Sequence, residues 1–271
     1  MANYLVLGGD GFIGKFLVNY LVARGNYVKS IDFDSDAAQD LRVLKISNLT
    51  EFDACFFLAW NVGGSKFLTE PSTWQAQFAD NVALINNIFP QLIRTSIPFL
   101  FVSSQLAGAD ESPYSLTKKL AEKYCATITN CIVARQWNVY GSIEKFDIKS
   151  HVISDFVVQA IRTGEIQLIT DGNEKRKFVH LEDTCRAYLQ MIEGKNEKNG
   201  KIYDVSSEKY VSILEVAEII SKLTDAKIFR GQISGKTPAV SEYPTYPGWN
   251  SMITLEDGIR NLISEYSRPS I

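Results

Sequence analysis

Short apolar runs alternate with amphipathic helical patterns along the first half of the chain. The runs predict strands at residues 3–7, 28–31, 53–60, 98–102 and 131–135. The helical patterns between them are longest at residues 74–97 and 114–127. This alternation predicts an α/β fold, a doubly wound parallel sheet with right-handed crossovers.

The alternation fades beyond Gly141. Helices are predicted there at residues 152–163, 182–193 and 213–223, and short strands at 166–169 and 203–205. A further short strand is predicted in the first half of the chain, at residues 41–46. Ser212 and Glu215 have the spacing of a capping box at the last helix, and residues 234–249 are predicted to be irregular. We expect residues 1–141 to form a nucleotide-binding domain. Residues 142–271 are predicted to be mostly a smaller substrate-binding lobe, with some segments returning to the main sheet.

A glycine cluster joins the first strand to the first helix. Gly8 suits a tight turn, Gly11 allows close approach of a pyrophosphate, and Gly14 allows the helix to pack against the strand. The helix N-terminus offers N–H groups to phosphates. Asp32 ends the second apolar run, where a carboxylate accepts hydrogen bonds from a ribose diol and repels a 2′-phosphate. The pattern predicts a dinucleotide site that prefers NAD to NADP.

Composition narrows the class of protein. The 271 residues are 45% apolar and carry a net charge of −3 without a basic block, which gives no reason to expect nucleic acid or membrane binding. We expect no signal peptide, because the first strand begins near residue 3. The four cysteines lack the spacing of a metal site, so reduced buried thiols in a cytoplasmic protein are expected.

Tyr114 and Lys118 lie four residues apart in a predicted helix and therefore share a face. An ammonium beside a phenol favours the phenolate, so Tyr114 could exchange a proton with a substrate hydroxyl near neutral pH. The strand before this helix ends in Ser103-Ser104, and a hydroxyl there could bind the reacting oxygen.

These features and further motifs resemble the extended short-chain dehydrogenases/reductases that act on nucleotide sugars, the NAD-dependent epimerase/dehydratase group. The resemblance runs nearly end to end and implies a Rossmann-type sheet. The matching segments are Gly8–Gly14, Phe57-Leu58-Ala59, Asn81-Val82, Tyr114–Lys118, Ala134–Gly141, Arg176–Asp183 and Tyr203–Ala217.

The resemblance implies roles for individual residues. Hydride transfer between a sugar carbon and NAD would use Ser103, Tyr114 and Lys118 as catalytic residues. The cofactor contacts implied are Gly8, Gly11, Phe12, Ile13, Gly14, Asp32, Leu58, Ala59, Trp60, Tyr114 and Lys118. The substrate contacts implied are Gly63, Gly64, Ser104, Gln105, Asn138 and Arg176, with Arg176 meeting the diphosphate.

Several positions depart from the family pattern. Lys45 stands where members often carry an Asp that contacts adenine, and Gln105 stands where 4,6-dehydratases carry a Glu. Because glutamine cannot supply a titrating proton, dehydration is disfavoured. The segment that contains His151 resembles the GDP-fucose synthase type, in which this histidine is a catalytic acid/base. His151 is therefore a candidate proton donor, or a residue that hydrogen-bonds substrate or structure.

Three functions remain open at this point. The first is a 4-epimerase that retains NAD and acts on a nucleotide-diphosphate sugar, as Asp32 favours. The second is a 4-keto reductase or 4-dehydrogenase, and the third a non-catalytic NAD(H)-binding sensor or scaffold. The resemblance also implies a homodimer formed through residues 74–97 and 114–127, for which Ile85 and Phe89 are candidate exposed apolar positions.

Overall fold

The structure, a computed structural model, describes residues 1–34, 36–62, 70–108, 112–142, 151–194 and 198–267. The strands are β1 (Asn3–Leu7), β2 (Tyr27–Ile31), β3 (Ala54–Phe57), β4 (Phe99–Ser104), β5 (Cys131–Gln136), β6 (Asn138–Tyr140), β7 (Glu165–Gln167), β8 (Lys175–Arg176), β9 (Phe178–His180), β10 (Lys201–Val205), β11 (Val211–Ser212) and β12 (Lys227–Phe229). The helices are α1 (Phe12–Val22), α2 (Trp74–Thr95), α3 (Pro113–Cys125), α4 (Val152–Thr163), α5 (Leu181–Glu193), α6 (Ile213–Thr224) and α7 (Leu255–Tyr266).

The main sheet has the strand order β2-β1-β3-β4-β5-β10, and every neighbouring pair is parallel. The chain leaves β1 toward β2 on one side and continues through β3 on the other. The strand order therefore reverses between β1 and β3, and ligands of open parallel sheets bind beside the carboxyl ends at such a point. The predicted α/β fold is confirmed.

One face of the sheet packs against α2. Alternate residues of the strands, among them Leu5, Phe57 and Phe101, form one buried cluster with Ile88 and Leu92 of α2. Ile85 and Phe89 belong to the same cluster and are buried, so the expectation that they are exposed interface positions is wrong. The apolar residues of α2 cover a broad face of the helix, and the core buries most of that face.

Residues 41–46 do not form the predicted strand. They contain a turn and irregular backbone, and polar side chains of α2 hold them. The Asn87 amide donates to the carbonyls of Leu41 and Leu44, while Gln91 accepts from the amide of Ile46. These side chains supply the hydrogen bonds that a neighbouring strand would otherwise make.

The chain divides into two compact units. The first comprises Met1–Gln136, Cys185–Val205 and Val240–Trp249, and the second comprises the remaining segments from Trp137 to Ile271. In the second unit, α4, α6 and α7 pack around one apolar cluster. No helix in the described ranges is long and apolar enough to cross a membrane.

Helix ends in the second unit follow local sequence signals. Ser212 and Glu215 form the predicted capping box at α6. α7 was not predicted from the sequence, although Thr254 caps it by accepting a hydrogen bond from the Asp257 amide. The four cysteines are free and buried, as expected.

Candidate active site

The turn after β1 has space only for glycine at two positions. Gly8 has φ of +91°, and a Cβ there would lie 2.4 Å from the amide nitrogen of Ala59. A Cβ on Gly14 would lie 2.0 Å from the carbonyl oxygen of Gly8. The turn therefore packs directly on the chain that leaves β3 and on the first turn of α1.

The N-terminus of α1 fits a pyrophosphate. Gly11 occupies the N-cap in extended conformation and has no side chain to cap the first turn, which contains no acidic residue. A Cβ on Gly11 would meet only the Gly8 carbonyl oxygen, at 3.6 Å, so this position is open on its outer side. Phe12 and Ile13 begin the helix, whose partial positive charge suits an anion.

Asp32 lies beside this turn. Its carboxylate accepts hydrogen bonds from the amides of Asp10, at 2.9 Å, and Asp34, at 3.1 Å. The amides of Leu58 and Ala59 both donate to the carbonyl of Leu7 at 2.8 Å, which joins the ends of β1 and β3. Six of the residues predicted to hold NAD thus lie around the carboxyl end of β1, and their chemistry fits that cofactor: Gly8, Gly11, Gly14, Asp32, Leu58 and Ala59.

Tyr114 and Lys118 lie on the buried face of α3. Pro113 at the first helical position and Ser112 as N-cap start the helix just before Tyr114. Tyr114 is 7% and Lys118 3% exposed, and the Lys118 Nζ is 5.9 Å from the centre of the Tyr114 ring. The predicted shared face is therefore present.

The Lys118 ammonium has aromatic and carbonyl neighbours. Nζ donates to the carbonyl of Val102 at 2.6 Å and lies 4.0 Å from the Trp60 ring centre and 4.8 Å from that of Phe101. Burial lowers the pKa of Lys118 well below its ordinary value, and the charge of Glu122 opposes this effect. Whether Lys118 carries its proton thus depends on the groups that surround Nζ.

Ser103 is bound to a buried ion pair. Its hydroxyl donates to the Glu122 carboxylate at 2.6 Å, and Arg135 donates to both oxygens of the same carboxylate at 2.7 Å. The proton of Ser103 is therefore engaged with Glu122 in this structure, and the catalytic role of Ser103 stays a prediction. Glu122 was not predicted as a site residue, although its position one turn after Lys118 marks it as a charge on the buried face of α3.

Ser104 and Gln105 follow directly at the end of β4. The Ser104 hydroxyl is 3.4 Å from Oε1 of Gln105, a long hydrogen bond, and accepts from the amide of Leu106. Both side chains are buried. The proton of Ser104 is therefore less firmly bound than that of Ser103.

The second unit contains two further predicted substrate contacts, Asn138 and Arg176, and the candidate proton donor His151. Asn138 lies in β6, and its amide donates to the carbonyl of Lys177 at 3.1 Å. Arg176 lies in β8, donates to the carbonyl of Lys175 and has a pKa lowered by burial. His151 immediately precedes α4, and burial lowers its pKa too. Gly63 and Gly64 lie outside the described residues.

His180 is a structural hydrogen-bonding residue. Its Nδ1 accepts from the amide of Glu182 in the first turn of α5, and its ring packs against Tyr140 at 5.4 Å. Lys45, the departure near the adenine position, is exposed and donates to Asn87 of α2 at 2.5 Å.

Comparisons with known proteins agree with this geometry. Residues 4–206 match the NAD dependent epimerase/dehydratase family. The chain is 27% identical to a UDP-N-acetyl-alpha-D-glucosaminuronate decarboxylase of Bacillus cytotoxicus, over 81% of this chain and 79% of that protein. It is 36% identical to a dTDP-4-dehydro-6-deoxy-D-allose reductase of a Streptomyces species, over 80% of this chain and 79% of that protein.

Solved structures show the same fold. A UDP-N-acetylglucosamine 4-epimerase from Methanobrevibacter ruminantium superposes with a TM-score of 0.79 at 18% identity, covering 98% of each chain. The segment that matches the family runs from β1 to β10 and includes the glycine turn, Asp32 and the Tyr114–Lys118 pair. The chain is therefore an enzyme of the NAD-dependent epimerase/dehydratase family, a group of extended short-chain dehydrogenases/reductases that includes nucleotide-sugar epimerases, decarboxylases and reductases.

Proposed function

We propose that this enzyme transfers hydride at C4 of a nucleotide-activated sugar and acts as a 4-epimerase. The observation that carries the proposal is the buried Tyr114–Lys118 pair on α3, in the same unit as the glycine turn and Asp32. Tyr114 would take the proton of the C4 hydroxyl and later return it. Bound NAD would supply the hydride acceptor.

Lys118 and Ser104 would assist Tyr114. The ammonium of Lys118 favours the phenolate and would bind the nicotinamide ribose. We assign the hydrogen bond to the reacting oxygen to Ser104, because the hydroxyl of Ser103 is donated to Glu122. Asp32 supports retention of NAD, as an epimerase requires.

The proposed substrate class is a nucleotide-diphosphate sugar. The relatives are named for UDP- and dTDP-sugars, which supports this class. Arg176 carries a partly desolvated guanidinium, and its hydrogen bond to Lys175 uses one of five donors. The remaining donors make Arg176 suitable for a diphosphate, while Asn138 stays a proposed sugar contact and His151 a proposed proton donor.

A 4-keto reductase is the second candidate. The relative with 36% identity is named as a reductase, which favours it. A reductase would consume reduced coenzyme and release it after each turnover. Asp32 opposes NADPH in this role, so the coenzyme would be NADH.

Product analysis separates these candidates. Purified enzyme is assayed for bound NAD and incubated with UDP-, GDP-, CDP- and dTDP-sugars, including a uronate, with and without added coenzyme. Epimer formation without added coenzyme supports the proposal, whereas net NADH oxidation indicates a reductase and loss of CO2 a decarboxylase. Tyr114→Phe is the control, and a non-catalytic protein would show no turnover with any substrate.

The proposed assembly is a homodimer. α2 exposes Phe78 and α3 exposes Leu120, with 47% and 49% of their surfaces accessible, and Trp74 and Leu116 extend the same apolar pattern. Side chains one turn apart on each helix could pack against those of a second copy.

The four free buried thiols support a reducing compartment, and we propose the cytoplasm.

A further inference from the structure

Trp60 follows β3 and directs its ring face at the side chain predicted to tune the catalytic tyrosine. The indole centre is 4.0 Å from the Lys118 Nζ, closer than the rings of Phe101 and Tyr114. The indole also packs against Phe101 at 5.4 Å, which fixes its orientation. An ammonium over the face of a tryptophan is attracted by the ring quadrupole, and tryptophan is the strongest of the aromatic side chains in this respect.

We propose that Trp60 is a positioning residue that holds Lys118 in its charged form beside Tyr114. The effect on catalysis rests on the proposed function, whereas the contact between Trp60 and Lys118 does not. A buried ammonium without a close counterion loses hydration energy, and the Val102 carbonyl and the Trp60 face replace part of it. A residue without a π face at position 60 would leave Nζ with the Val102 carbonyl and the more distant ring of Phe101.

The other groups around Lys118 do not replace this contact. On α3 itself, Glu122 and Cys125 favour the ammonium, but the Glu122 carboxylate is already shared between Arg135 of β5 and Ser103 of β4. Tyr188 of α5, which interacts electrostatically with Tyr114, donates its hydroxyl to Gln136. Trp60 is thus the aromatic neighbour nearest the charge.

The consequence for Tyr114 follows from charge coupling. If Lys118 loses its proton more easily, the phenolate of Tyr114 loses a stabilising cation, and its pKa rises. The acid limb of the pH–rate profile for sugar oxidation would then move to higher pH. A role of Trp60 in packing alone would reduce the rate without moving this limb.

The direct test is the titration of Lys118 in the nucleotide-free chain of 271 residues. Lysines are labelled with 13C at Cε, and the Lys118 resonance is assigned by its absence in Lys118→Arg. We expect the midpoint to fall by about one pH unit in Trp60→Leu and by less in Trp60→Phe, which retains a weaker π face. Trp249→Phe is the control, because the Trp249 ring lies beside Arg186. This variant should leave the midpoint of Lys118 unchanged.

Equal midpoints in the wild-type protein and Trp60→Leu would overturn the proposal, as would equal shifts in Trp60→Leu and Trp60→Phe. If Trp60→Leu does not fold, Trp60→Met provides an unbranched side chain without a ring. The titration needs no substrate, so it decides the inference even if no nucleotide sugar is turned over. Where turnover is found, the acid limb should move to higher pH in the same order of variants.

Discussion

The carboxylate of Glu122 on α3 accepts two hydrogen bonds from the guanidinium of Arg135 on β5, and both side chains are buried. The pair anchors the helix that carries Tyr114 and Lys118 to the sheet beneath it. It also binds the hydroxyl of Ser103, the neighbour of Arg135 across the strand pair.

Removing one partner of this pair should destabilise the fold strongly. Glu122→Gln keeps the shape but leaves the Arg135 charge buried without its paired carboxylate, at a cost of about 3–5 kcal/mol in the free energy of unfolding. Urea denaturation measures this loss. The matched control is Glu256→Gln, which breaks the exposed pair with Arg260 and should cost about 0.5 kcal/mol or less. Similar losses in both variants would contradict the anchoring role.

The two serines at the end of β4 should have separable effects. Ser104→Ala should lower kcat by roughly 10- to 100-fold, the effect of one lost hydrogen bond in the transition state, with little change in stability. Ser103→Ala should reduce the free energy of unfolding by about 1–2 kcal/mol, since Glu122 loses a donor, and change kcat less. Steady-state kinetics and urea denaturation of both variants provide the comparison. A larger kcat loss in Ser103→Ala would return the catalytic role to Ser103.

Two glycines of the turn should respond differently to an added methyl group. Gly14→Ala places a Cβ 2.0 Å from the Gly8 carbonyl oxygen, so the turn must move and the melting temperature should fall. Gly11→Ala has space within the protein and an ordinary φ of −70°. It should melt like the wild type yet bind NAD at least about tenfold more weakly, because the methyl group occupies the approach of the pyrophosphate. Unchanged NAD affinity of Gly11→Ala in a calorimetric titration would exclude this position from the phosphate site.

Mild acidification should destabilise the protein through its two histidines. Burial lowers the pKa of both His151 and His180 from the ordinary value of 6.5. The unfolded chain therefore binds protons first as the pH falls through 6.5, and stability declines until the folded-state pKa values are passed. The carboxyls with lowered pKa, such as Asp40 and Glu215, act only at lower pH. Urea denaturation between pH 7.5 and 5.5 should show this loss.

His180→Gln identifies the contribution of one histidine. The variant should be less stable than the wild type at pH 7.5, because glutamine lacks the ring that packs against Tyr140 and holds Nδ1 beside the Glu182 amide. The difference should narrow toward pH 5.5, since the variant has no imidazole to protonate in the unfolded state. A constant difference across this range would show that His180 does not titrate there.

The apolar face formed by Trp74, Phe78, Leu116 and Leu120 should hold the proposed dimer together. Phe78→Glu with Leu120→Glu buries charge in such an interface and should yield a monomer in light-scattering measurements. Val43→Glu is the control, since Val43 is 72% exposed and lies outside both helices. A wild-type monomer, or a double variant that remains dimeric, would contradict the proposed interface.

The fold was predictable where local pattern decides structure. Apolar runs and caps located the main strands, α2, α3 and the capping box at Ser212. The prediction of a strand at residues 41–46 was wrong, because the side chains of Asn87 and Gln91, which are distant in sequence, form hydrogen bonds with that backbone. The exposure of Ile85 and Phe89 was mispredicted because the core uses a wide face of α2.

The site was predictable to the extent that spacing determines it. A separation of four residues put Tyr114 and Lys118 on one face, and the glycine spacing located the turn. The contacts of Ser103 with Glu122 and of Lys118 with Trp60 join different elements, and no local pattern encodes them. On these contacts rest the proposals that Ser104 binds the reacting oxygen and that Trp60 holds Lys118 in its charged form.

Absorbance at 340 nm during a single turnover of the NAD-bound enzyme tests the central claim most directly. With a nucleotide sugar that serves as substrate, we predict a transient rise in absorbance that decays as the epimer forms. Deuterium at C4 should slow the rise, and Tyr114→Phe should abolish it. Epimer formation without any absorbance change, or with an unaltered rate for the C4-deuterated sugar, would contradict hydride transfer at C4.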